Sequence, residues 1–115
     1  DRFEAAYGEP VEVLAYGAET YDAVVIVALA AEAAGTDDPI QVAAQINDIT
    51  RGGDKCTDFA SCRDIIADGG DPDYDGIGGP YEFVDEGEPS AASFRIMTYG
   101  ADGIDASLDE YVFAE

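Results

Sequence analysis

Leu14-Ala15-Tyr16-Gly17-Ala18-Glu19-Thr20-Tyr21-Asp22, then an unbroken apolar run over 23–31, then Glu32-Ala33-Ala34-Gly35, is the stretch whose reading decides the fold. Nine apolar residues in a row suit a buried strand or a buried helix, and length arbitrates between them. Alanine is abundant and the segment outruns an ordinary strand, so a helix is expected. Thr20 reads as its N-cap, with Asp22 placing negative charge in the first turn. Gly35 reads as its C-terminal stop. A helix apolar on nearly every side is expected to be covered on nearly every side, here by packing against a sheet. The run is shorter than the roughly 20 residues that cross a bilayer.

Around this helix the chain alternates. Residues 2–8 read as the end of a helix, which makes a fragment or processed product the expectation. The short run 11–14 reads as extended. Asp38-Pro39-Ile40-Gln41 is a strong helix start, with Asp38 as cap, Pro39 at the first position and Gln41 completing a capping box. That helix is expected to reach about Ile49 and to present Ile40, Val42, Ala43, Ala44 and Ile46 on its apolar face. Thr57 or Asp58 caps a third helix over 59–68, stopped by Gly69-Gly70. Residues 71–80 read as an Asp- and Gly-rich loop. A C-terminal hairpin follows, pairing 81–84 with 92–99 through a turn at 85–89, and 94–98 alternate as a strand with unequal faces does. Leu108, Tyr111, Val112 and Phe113 form a weak apolar patch in the tail.

With 26 Asp and Glu against 5 Lys and Arg, the 115 residues carry a formal charge of −21. Such a surface repels phosphates, so nucleic acid is not an expected partner. The acidic residues are interspersed with 47% hydrophobic ones, which excludes a disordered acidic tail. Histidine is absent, so no His-based triad or general base lies within these residues. No glycine loop followed by Lys-Ser or Lys-Thr offers a phosphate cradle. An enzyme whose whole site lies here is not expected, nor is a cofactor.

Two constellations remain. Cys56 and Cys62 read first as a disulfide closing a short loop, and so as a sign of an oxidising compartment. The alternatives are two reduced thiols or, with no histidine to complete it, a metal site. Asp71-Pro72-Asp73-Tyr74-Asp75-Gly76, with Glu82 six residues on, fits the calcium-loop pattern of hard oxygen ligands around a sharp glycine turn. Its flanks disagree: Gly69-Gly70 break the entering helix, and Pro80 with the strand-like 81–84 replaces the exiting one. The alternative is that these aspartates form turns.

Taken in order, Tyr16-Gly17-Ala18-Glu19-Thr20-Tyr21-Asp22-Ala23, the helix capped at Asp38, the phrase Asp73-Tyr74-Asp75-Gly76-Ile77-Gly78-Gly79-Pro80 and the segment 83–99 carry a resemblance. They resemble the C-terminal portion of branched-chain amino-acid (Leu/Ile/Val-type) ABC-transporter substrate-binding proteins, of the type I periplasmic-binding-protein fold. Lys55-Cys56-Thr57-Asp58-Phe59-Ala60-Ser61-Cys62 resembles a variant found in some secreted members. The resemblance implies an α/β fold fragment, with helices packed on a parallel sheet and the C-terminal hairpin beside it. It implies that residues 1–88 end the first ligand-binding lobe and that 89–115 form the hinge crossing and the terminal strand of the second. It further implies a small amino acid trapped between lobes, delivery to a membrane permease, an extracytoplasmic site as a periplasmic or cell-surface lipoprotein, and an N-terminal part outside this chain. By the same resemblance Tyr16 touches ligand; the alternative is a tyrosine buried under the first helical turn. Tyr21 is expected in the core. The runner-up function is a secreted acidic interaction module, calcium-dependent through Asp71, Asp73, Asp75 and Glu82.

Overall fold

The computed structural model describes residues 2–8 and 16–114, and the extended run expected at 11–14 lies outside the described residues. A short helix α1 (Arg2–Tyr7) precedes it. The central helix α2 (Gly17–Ala34) begins three residues earlier than Thr20. Thr20 is not its cap: its hydroxyl donates to the Tyr16 carbonyl at 2.7 Å from inside the first turn. Tyr16 holds the cap position in the left-handed region, at φ 60, without a side-chain hydrogen bond. At the other end Gly35 is left-handed at φ 64. The Gly35 N–H donates to Glu32 and the Thr36 N–H to Ala31, a closed helix end that suits glycine.

α3 (Pro39–Gln45) starts as its sequence dictates: the Asp38 Oδ1 accepts from the Ile40 and Gln41 N–H groups at 3.0 and 3.1 Å. It stops four residues short of Ile49, because the chain tightens into a 3-10 turn (Asp48–Thr50) that buries Ile49 and Thr50. Of the expected apolar face only Val42 is buried; Ile40 stands exposed. Strand β1 (Asp54–Cys56) leads to α4 (Phe59–Ala67), capped by Asp58, whose Oδ1 accepts from Ala60 and Ser61. Asp58→Ala is expected to cost about 1 kcal/mol, read as a lower urea midpoint with an unchanged slope.

Residues 71–80 are not a loop. β2 (Pro72–Gly76) lies parallel to β1, pairing Lys55 with Asp73 and Cys56 with Tyr74, and β3 (Gly79–Pro80) turns back antiparallel to it. The aspartates suggested turns, yet Tyr74 between them is buried beneath α2, and burying that ring draws the segment onto the open edge of β1. The sequence β1–α4–β2 is thus a parallel crossover unit. Cys56 and Cys62 are joined as a disulfide between β1 and α4, with both residues buried. That bond indicates an oxidising, extracytoplasmic environment. Among the described residues no helix is long and apolar enough to cross a membrane.

The expected hairpin is also different. Residues 81–84 do not pair with 92–99; Phe83 bridges only to Pro89, across the turn. The backbone of this segment is taken up elsewhere. The Phe83 N–H donates to the Thr50 hydroxyl, Arg51 Nη1 donates to the Phe83 carbonyl, and Asn47 Nδ2 donates to the Val84 carbonyl. β4 (Ala92–Ile96) pairs instead with β7 (Glu110–Ala114), antiparallel, around a smaller pair β5 (Tyr99–Gly100) and β6 (Gly103–Ile104).

The core is the inner face of α2, namely Val25, Ile26, Leu29 and Ala30, closed by Val42, Ile49, Tyr74 and the disulfide. α2 is covered mainly by α3 and α4, with β2 as a smaller contact, rather than by a broad sheet. Its other face is open. Val24 is 66% and Val27 49% exposed, and Tyr21 is exposed rather than in the core. The all-round covering expected of this helix is therefore not achieved within the chain, because a narrow three-stranded sheet and two short helices shield one side only. Phe94, Ile96, Tyr111, Val112 and Phe113 on β4 and β7 are likewise exposed. The protein is a mixed α/β structure with small sheets.

Candidate functional site

An aspartate within an apolar helix is costly to bury unless its oxygens are satisfied. Asp22 is fully buried. Its Oδ1 accepts from the Tyr74 hydroxyl at 2.7 Å. Its Oδ2 accepts from the Gly78 N–H at 2.7 Å and the Tyr81 hydroxyl at 2.6 Å. Burial pushes the carboxyl up, but the hydrogen bonds from Tyr81, Gly78 and Tyr74 together outweigh it and hold the group below its ordinary value. The same burial, together with the adjacent carboxylate, pushes both tyrosine hydroxyls above their ordinary range.

This seat explains the glycines of the phrase at 73–80. A Cβ on Gly76 would meet the Asp22 carboxylate, and one on Gly78 would meet the Tyr81 hydroxyl at 2.5 Å. Only residues without a side chain let the strand end close over the buried acid. Asp22 is therefore not a partner for the helix dipole in the first turn, as its position suggested. The available signal was an ionisable residue abutting nine apolar ones, with Tyr and Gly clustered far along the chain.

Beside this seat lies an open cavity of about 130 Å³. It is lined by Glu19 of α2, by Gly78, Gly79 and Tyr81, and by Pro89 and Phe113. It thus sits where the chain leaves the helical core for the β4–β7 ribbon. Tyr16 does not line it. Tyr16 is 79% exposed at the start of α2, so it is not buried under the first turn.

The aspartates of the calcium-type pattern fall elsewhere. Lys55 Nζ lies 3.0 Å from Asp73 Oδ2, 3.1 Å from Asp75 Oδ1 and 3.5 Å from Glu82 Oε1. Asp73 above all, opposed by partial burial and helped by Asp75, pushes the lysine further toward its charged form. An ammonium group thus holds the position between these three carboxylates. Asp71 is exposed, and its carbonyl accepts from the Asp54 N–H. Among the described residues no group of three or more Asp, Glu, His or Cys is arranged to hold a metal ion. Lys55→Met is expected to cost about 2 kcal/mol, because it leaves the buried Asp73 carboxylate without its cation. Equilibrium denaturation of the variant measures that loss.

Compared with known proteins, the chain matches no family model, no curated protein and no solved structure.

Proposed function

We propose that this chain is the C-terminal portion of an extracytoplasmic solute-binding component of an ABC importer, of the type I periplasmic-binding-protein kind. It takes a branched-chain or related amino acid between two lobes and hands it to a membrane permease. Residues 1–88 belong to the first lobe, and 89–115 supply the crossing and terminal strand of the second. The protein is not an enzyme on this reading, and it works at the cell surface or in the periplasm as a lipoprotein.

The observation that carries the reading is the crossover β1–α4–β2 lying under a helix with Val24 and Val27 uncovered. Parallel strands are found in sheets covered on both faces, so a parallel pair whose covering helix α2 leaves Val24 and Val27 facing outward suits one side of a larger α/β lobe. The exposed apolar residues of β4 and β7 suit a strand pair that joins a second lobe. Exposure at the mouth of α2 suits Tyr16 as a ligand contact. The disulfide accords with the location. For the calcium-dependent alternative, the place of Lys55 among Asp73, Asp75 and Glu82 weighs against an ion there.

Calorimetry on the whole protein that carries this chain tests the reading, with leucine, isoleucine and valine titrated in turn and calcium as a separate arm. Micromolar binding of at least one amino acid is expected, with Tyr16→Ala weakening it, and the chain alone should bind none. Calcium heat that vanishes in Glu82→Gln, with no amino-acid binding, would replace this reading by the interaction module.

A further inference from the structure

Gly78 and Tyr81 belong to two arrangements at once. Both line the cavity between α2 and the start of the ribbon, and both donate to Asp22 Oδ2. The opposite oxygen of the same carboxylate is held by Tyr74, which is buried on β2 and does not face the cavity. One side of the acid therefore anchors the core, and the other side anchors a wall of the cavity.

We propose that Asp22 is a positioning residue: from within the core it fixes the segment 78–81 against the first turns of α2, and so sets the shape of the cavity where the two lobes meet. This rests on the reading of the protein as a two-lobed amino-acid receptor. Apart from the Tyr81 ring, which packs on the core and edge-on to Phe83, the segment has little else to hold it. Gly78 and Gly79 have no side chains, Gly79 stands at φ 147, and β3 meets β2 only through the pairs Asp75–Pro80 and Gly76–Gly79. A wall built on glycine keeps its form only where something outside it restrains the backbone. The Asp22 carboxylate, with its own oxygens fully engaged, is such a restraint, and rigid support of this kind is what preserves affinity at a binding site.

The two tyrosines provide matched variants. Tyr74→Phe and Tyr81→Phe each delete one hydroxyl from the same carboxylate, on its core side and its cavity side respectively. In the whole protein, hydrogen exchange over 76–82 and calorimetry with leucine are measured for both and for Asp22→Ala. Tyr81→Phe should speed exchange over 76–82 by about tenfold relative to the amides of α2 and weaken leucine binding by a similar factor, the scale of one net hydrogen bond. Asp22→Ala, which removes the acceptor of both Gly78 and Tyr81, should do so by at least as much. Tyr74→Phe should lower the melting temperature while leaving both readouts as in wild type. If Asp22→Ala does not fold, the tyrosine pair decides. Equal effects of the two tyrosine variants, or no selective exchange over 76–82, would overturn the inference and leave Asp22 a core residue only. The exchange signature without any amino-acid binding by wild type would remove the receptor reading and keep the role of Asp22 in shaping the wall.

Discussion

Asp22→Ala is expected to lower the unfolding free energy by about 3 kcal/mol, since a stranded buried donor costs about 1–3 kcal/mol and only the Tyr74 hydroxyl is fully buried, the other two donors being part-buried. Three donors lose their acceptor at once, the Tyr74 and Tyr81 hydroxyls and the Gly78 N–H. Such a loss is a large fraction of the roughly 5–15 kcal/mol that separates folded from unfolded domains. The effect depends on pH in a defined sense. The folded carboxyl is held below its ordinary value, so its contribution is present above the unfolded value near 4 and fades as the pH falls through the folded one. The two tyrosines are held above their ordinary value, so their contribution is present below about pH 10 and fades as the pH rises through their folded values. Urea unfolding at pH 3 and pH 7 is the measurement. The gap between wild type and variant should be smaller at pH 3 than at neutrality; a constant gap would mean that the acid is not what holds these groups.

Reducing the disulfide has the second large effect. Cys56 and Cys62 close a loop with a sequence separation of 6, for which chain entropy predicts about 2 kcal/mol. The bond also ties β1 to α4, the two elements of the crossover that precede β2. Replacing both cysteines by alanine is expected to lower the urea midpoint by the corresponding amount. A reductant should then destabilise wild type alone, and equal sensitivity of the double variant would contradict the assignment.

Much of the local structure was legible along the chain. Asp38 and Asp58 cap the helices they precede, because a side-chain oxygen two or three residues from a free N–H needs no distant help. Gly35 ends α2 for an equally local reason, its access to the left-handed region. The pairing of Cys56 with Cys62 follows from a short loop that already holds the two residues near one another. Local rules failed at the start of α2, where Thr20 satisfies its hydroxyl on a carbonyl one turn back and the helix begins before it.

The sequence alone determined where the main helices lie, the caps at Asp38 and Asp58, the stop at Gly35, the disulfide and the acidic balance, because those depend on neighbours within a turn or two. Only the tertiary structure decided that Asp22 is an internal acceptor, that 72–76 form a strand beside β1, that Lys55 neutralises the carboxylates of the calcium-like pattern, and that β4 pairs with β7. Each of these joins groups 14 to 59 residues apart. The choice among such partners rests on which polar groups are left unsatisfied once the apolar face of α2 is buried, and that balance is struck in three dimensions.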